Sequence, residues 1–371
     1  MKKSTLKFLL SLVCLVGLSK QAYSQTPDFS LVGFATENGG TTGGAGGTEV
    51  TVTTYAELKK YAKIPDAKYI IKVDGTITGK GSVATMDYEG EIKVASNKTI
   101  IGIGNTAFLD GIGLGIKDAK NIIIQNIKFS MVNLAKSIPA KSGDVPEVYK
   151  KSGDEGRPQI IVNGGDLIAI HGVSSNIWID HCEFSQEDPR VQKNQDLYDG
   201  LVDVSNNSGY VTVSWCYFHD HHKCNLVGNS DKDIFENRKV TFHHNYYKTI
   251  QERVPLFRGG TGHFFNNYNY DVYSGSVNSR VEACVRVEYN YFEKCKNTIY
   301  SKSSVIPGYA ERIGNKEVNC ENKLEYPEFC NVTIPYNYAN VFTKVDDVKT
   351  IVTKYAGVGK LSTSYIDNIG K

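Results

Sequence analysis

VTFHHNYYKT (240–249), GHFFNNYNYD (262–271) and RVEYNYFEKC (286–295) are three copies of one plan. Each opens with β-branched or aromatic residues, reaches a polar pivot and continues into aromatics. The pivots Asn245, Asn267 and Asn290 lie 22 and 23 residues apart. Upstream, NIIIQNIKFS (121–130), NIWIDHCEFS (176–185) and VTVSWCYFHD (211–220) repeat the plan with pivots Asn126, Cys182 and Cys216, separated by longer, loop-sized gaps. A period of this length marks a solenoid, whose units bury their apolar faces by stacking on one another. Short strands without helical periodicity between them favour a parallel β-helix. Stacked pivots stand about 4.8 Å apart, so asparagine amides can hydrogen-bond from one to the next. Cys182 and Cys216 fall on adjacent rungs of that column as small buried fillers.

The flanks fit the same all-β architecture. TYAELKKYAK (54–63) reads as an amphipathic helix capped by Thr53 or Thr54, placed to close the end of the solenoid. KYIIKVDGTITG, IKVASNKTIIGIG and GLGIKDAKNIIIQNIKF supply the first rungs. Residues 133–163 are the longest polar insertion. From about residue 303 the repeat fades into a tail expected to pack on the outside.

Residues 1–24 have the form of an export signal: Met1-Lys2-Lys3, the apolar run Phe8–Leu18, and small residues around Ala22-Tyr23-Ser24. The apolar run is too short to span a bilayer, and the remainder, 25–371, reads as one domain. The segment holds four lysines and no acids, so its removal takes the formal charge from +2 to about −2. With no global basic field, an anionic partner must be held by a local patch, and nucleic acid and membrane surfaces are not the expected partners. Of eight cysteines one is Cys14, leaving an odd seven. Cys320 and Cys330, close in a polar stretch, are the expected disulfide.

Three acids stand out: Asp166 in NGGDLIAI, and Asp199 and Asp203 in YDGLVDVS. Four residues of extended strand separate the latter pair by about 13 Å, so sharing one ion requires a bend, which Gly200 permits. An all-oxygen site of this kind suits Ca²⁺. On residues alone a calcium site and ordinary turn aspartates both remain open. FHDHHKCNLVG (218–228) invites a zinc reading, but its histidines alternate faces along a strand and no helical pair of ligands accompanies them. Histidines at recurring rung positions (His181, His243, His244) read as structural. Lys223 is a lone cation close to the acids. QERVPLFRGG (251–260) then sets Arg253 and Arg258 about Pro255, which bars an uninterrupted central strand. If both guanidiniums turn into the groove that holds the acids, the groove suits a linear polyanion. The alternative is that Arg253 pairs with a neighbouring acid and staples the loop.

Together, LVGFATENGGTTGGAGG, SNKTIIGIG, NIWIDHCEFS, DGLVDVSNNSGYVTVSW, HDHHKCNLVG and RVPLFRGGTGHFFNNY resemble, in this order, the calcium-dependent pectate lyases. The resemblance implies a right-handed, single-stranded parallel β-helix. It also implies a secreted, monomeric enzyme that cleaves α-1,4-polygalacturonate by β-elimination to unsaturated oligogalacturonides. Carried over by position, Asp166, Asp199 and Asp203 match the Ca²⁺ ligands. Lys223 and Arg258 match the residues that hold substrate carboxylates, and Arg253 matches the base. Asp180 and His181 match a structural motif. Gly164 stands where some relatives carry a further aspartate, and Ser205 where some carry a lysine. A hydrolase on this architecture would use Asp199 and Asp203 as acid and base, but would leave the row of cations without a purpose. So would a non-catalytic adhesin. A lyase acting on methyl-esterified pectin would have no use for the three acids.

Overall fold

The computed structural model describes residues 26–82, 87–137, 148–150 and 158–370. The export-signal reading of 1–24 lies outside them. Within the described residues the chain winds as a parallel β-helix whose coils line up in three parallel sheets of ten, nine and eight strands. A single coil shows the logic. Strand Lys239–His243 lies in the first sheet, Tyr246–Glu252 in the second and Leu256–Arg258 in the third, before Thr261–Phe265 returns to the first. Each strand pairs in register with the same strand one coil away, as Val240 with Val211 below and Gly262 above. Inward positions form columns of apolar side chains. Phe129, Phe184, Phe218 and Tyr247 stack with ring centroids 5.0 Å apart at each step. Each such fully buried ring contributes about 1.5–3 kcal/mol by leaving water.

The corner between the first two sheets explains the repeat. One position in each coil takes a left-handed backbone: Asn126, His181, Trp215, His244, Asn266 and Tyr289, with φ between 49° and 56°. The next position carries the ladder. The Asn245 amide nitrogens donate to Asn267 Oδ1 at 2.9 and 3.0 Å, those of Asn267 to Asn290 Oδ1, and those of Asn290 to Asn315 Oδ1. The Cys216 N–H donates to Asn245 Oδ1, and Cys182 and Cys216 lie buried on consecutive rungs, as expected. Asn126 is the exception. Gln125 pairs with Asp180, so Asn126 falls level with His181 in the left-handed column, and the apolar Ile127 holds the ladder position. Asparagine suits both positions, for left-handed backbone and for amide stacking, which hid the one-residue offset.

At the N-terminal end, helix Tyr55–Ala62 closes the barrel under a complete capping box of Thr54 and Glu57, burying Tyr55, Leu58 and Ala62. At the other end the repeat outlasts the expected boundary at 303. Strands Tyr309–Ile313 and Lys316–Val318, with Asn315 between them, complete a further coil. Only then does the chain double back along the outside. Helix Val345–Tyr355 buries Val348 and Val352 against Tyr246, Tyr268 and Tyr291. Beyond it, Gly357 N–H reaches Trp215 O, Gly359 N–H reaches Asn126 Oδ1, and Gly370 O accepts from Gly46 N–H beside the first strand.

The disulfide corrects the sequence reading. Cys330 bonds Cys284, with Cα atoms 6.0 Å apart, and not Cys320. The returning tail passes over the strand that begins at Cys284. Cys320 instead stacks one coil above Cys295, where Glu321 N–H donates to Cys295 O. In a solenoid, vertical neighbours are a full coil apart in sequence, so a ten-residue spacing is a poor guide. The insertion at 133–163 holds helix Val132–Lys136 and the short antiparallel pair Tyr149–Lys150 and Gln159–Ile160, pinned where Tyr149 Oη donates to Leu134 O.

Candidate active site

The outer face of the eight-stranded sheet carries the acids and the cations. Asp166 ends a tight turn, Val162–Gly165, in which Asn163 and Gly164 adopt positive φ. Asp199 and Gly200 lead into strand Val202–Val204, from which Asp203 points outward opposite Ala169. The bend anticipated at Gly200 is present: its N–H donates to Asp166 Oδ1 at 2.7 Å, drawing the two segments together. A Cβ at Gly200 would come within 2.2 Å of Asp203 Oδ1, so no larger residue fits beside that carboxylate. Leu226 N–H holds the same oxygen at 3.0 Å from the next rung.

Charge crowding follows from this packing. Burial, then the charges of Asp203 and Asp199, push Asp166 well above the usual carboxylate range. Burial and then Asp199 raise Asp203 to about 7, although Arg253, the Leu226 amide and Lys223 act in the opposite direction. Such a group is short of positive charge. Even so, no three carboxylate, imidazole or thiol donors among the described residues close into a cage able to hold an ion alone. Asp199 already faces a cation, Lys223 Nζ at 3.1 Å, which also contacts Asp196 at 3.2 Å. The acids therefore fit a cation that takes further oxygens from outside the protein; the donors are all hard oxygens, the set that suits Ca²⁺.

Lys223 closes strand Tyr217–Lys223 opposite Glu252 on the next coil. Arg253 follows Glu252 in left-handed backbone, φ 66°, and the Val254–Pro255 peptide is cis. This bend ends one strand and opens the next, leaving the Arg253 guanidinium where its charge acts on Asp203. The alternative in which Arg253 staples the loop finds little support. Its nearest carboxylate is Glu252 at 4.0 Å, and its buried Nε has no hydrogen-bond partner. Arg258, by contrast, is held: Nε donates to Asp231 Oδ1 at 2.8 Å and a terminal nitrogen to Gly228 O at 2.9 Å.

Four contributors escaped the sequence reading. His221 Nε2–H donates to the Asp199 carbonyl. Burial drives this imidazole down to about 3, with nearby Lys223 and Arg253 adding to the effect, so it stays neutral and fixes that backbone. Asp196 shares Lys223, and Asp231 steers Arg258. Arg280 pairs in register with Arg258 on the adjacent rung, its Nε buried and without a partner. Its signal was available, since Arg280 follows Arg258 by 22 residues, the length of one coil.

The solenoid thus presents clustered carboxylates beside stacked cations along one face. The pectate lyase family model matches residues 7–361, and the chain belongs to that family. It is 40% identical over 337 residues to a pectate trisaccharide-lyase of Bacillus licheniformis, covering 90% of this chain and 88% of that one. It is 36% identical over 342 residues to pectate lyase A of Aspergillus niger, covering 91% of each. Among solved structures it is similar to a Bacillus pectate lyase in complex with trigalacturonate. That match has a TM-score of 0.74 and 33% identity, over 90% of this chain and 100% of the other.

Proposed function

We propose that this enzyme cleaves polygalacturonate by calcium-dependent β-elimination, with Arg253 as the base. The observation that carries the reading is one cluster in which the crowded acids Asp166, Asp199 and Asp203 lie within reach of Lys223 and of the Arg253 guanidinium, whose nearest carboxylate is Glu252 at 4.0 Å. Asp166, Asp199 and Asp203 would hold Ca²⁺, completed by a substrate carboxylate. Bound there, the ion neutralises that carboxylate and so eases loss of the adjacent ring hydrogen. Lys223, Arg258 and Arg280 bind the uronate carboxylates and fix the sugar's position. Arg253 takes the C5 proton; the C5–H electron pair forms the C4–C5 double bond, the C4–O bond breaks, and the departing oxygen acquires a proton. A guanidinium gives up its own proton only at high pH, so activity should rise into the alkaline range. The export-signal form of residues 1–24 supports secretion.

The test is incubation with polygalacturonate, with and without a calcium chelator, following the ultraviolet absorbance of unsaturated uronides. Chelator-sensitive absorbance is expected. Reducing ends without absorbance would mean hydrolysis and would overturn the reading.

A further inference from the structure

The groove does not end at the acids. Toward the N-terminus, Asp203 lies in register with Ala169, then Gly115, then Lys93. Three rungs amount to about 14 Å. Both intervening positions are small, so the outer face is a trough with a low floor and a cation at its far end. The neighbouring column tells the same story: Arg258 stands at one end, and four rungs away Lys117 pairs beside His171. Between them the corresponding outward positions are Gly228 and Ser205. A cavity of about 590 Å³ opens at this far end, lined by Lys63, Glu91, Lys93, Gly115, Lys117 and His171 among others.

The charges there are uncommitted. Lys63, Lys93 and Lys117 are exposed and make no ion pair among the described residues. Two acids share the cavity. Asp118 is engaged, since its Oδ1 accepts from Val173 N–H at 2.9 Å. The Glu91 carboxylate leans over Gly115. Three cations beside a carboxylate acceptor make a mixed surface suited to a sugar acid, which offers one carboxylate and several hydroxyl donors.

We propose that Lys93 and Lys117, with Lys63, His171 and Glu91 beside them, form a distal subsite that binds a uronate of the same polysaccharide chain remote from the scissile bond. This rests on the polygalacturonate reading above. A chain lying along the trough touches the acids and Arg258 at one end and the lysines at the other, so the subsite acts on chain length and leaves the chemistry to Arg253. A trimer that engages Arg258 ends short of Lys93.

The K93A/K117A double variant tests this. Exposed charges of this kind each contribute modestly, so removing both should raise KM for polygalacturonate about fivefold, while KM for trigalacturonate moves far less. Titration calorimetry with long and short oligogalacturonates in chelator should show the same split without turnover. The salt sensitivity of polymer binding should fall in parallel. Equal effects on trimer and polymer, or none on either, would overturn the subsite. Absence of unsaturated product from the unmodified enzyme would instead overturn the lyase reading, so the two failures are distinguishable.

Discussion

Truncating one rung of the asparagine ladder, Asn267→Ala, tests the fold at its most repetitive element. Asn267 Oδ1 accepts from both the backbone and side-chain nitrogens of Asn245, and its Nδ2 donates to Phe242 O, Phe265 O and Asn290 Oδ1 at 2.9–3.1 Å. The residue is fully buried. Removal leaves the Asn245 backbone N–H without its acceptor, while the Asn245 side chain keeps Val213 O. One orphaned buried donor costs roughly 1–3 kcal/mol and the other lost bonds add about 1, for a total of about 3 kcal/mol. Asn315→Ala removes similar bonds at the open end of the ladder, where the residue is half-buried and water can substitute; about 1 kcal/mol is expected there. Urea unfolding followed by circular dichroism, with slopes compared to confirm two-state behaviour, measures both. Equal losses for the two variants, or a loss below about 1 kcal/mol for Asn267→Ala, would refute the view that buried amide stacking clamps the corner.

Other outcomes follow from the groove and the tail. Gly200→Ala, whose Cβ would collide with the Asp203 carboxylate, should raise the calcium concentration for half-maximal activity at least about tenfold while the protein still folds. Arg253→Lys should lower kcat by about 100-fold or more with calcium binding retained, and full activity would place the base elsewhere. Buried His221 and His244 each sit at about 3, so the unfolded chain takes up protons first as pH falls below about 6.5. Stability is therefore complete above that pH and is lost on acidification, by roughly 2–3 kcal/mol per imidazole at about pH 4.5, measurable as Tm against pH. Asp203 has the opposite sign: raised to about 7, it costs the cation-free protein stability as pH rises through 4 to 7, so the Tm gain on adding Ca²⁺ should be largest above pH 7. Cys330→Ser opens a link spanning 46 residues and should cost up to about 4 kcal/mol.

The solenoid was legible because its stacking rule is written at fixed intervals. Asn245, Asn267 and Asn290 each show a polar residue in an apolar run, and only a column of like partners explains burying it. The rule blurs where composition serves two purposes, as at Asn126, and where a boundary is set by closure, as in the coil completed by Lys316–Val318. At the site, Asp166, Asp199, Asp203, Lys223, Arg253 and Arg258 stood out as a run of acids and cations, and a resemblance gave them their roles; local spacing alone left calcium undecided. The structure brings the charges of Asp166, Asp199, Asp203, Lys223 and Arg253 within reach of one another, while Arg258 is held apart by Asp231 and the Gly228 carbonyl. His221, Asp196, Asp231 and the Cys284–Cys330 bond were out of reach, since each depends on which side chains meet across coils. Arg280 was within reach, had the coil period been applied to the arginines as well as to the asparagines.

The returning tail has a consequence for how the molecule comes apart. Stacked coils touch only their immediate neighbours, so an unbraced stack can peel from either end one turn at a time. Here a covalent stitch fastens the tail near one end, and its last residues are anchored beside the opening strand at the other. Loosening a terminal turn therefore pulls on the whole strap, so the stack should hold or fail as a unit. That suits a groove whose grip on a long chain depends on many rungs staying level at once.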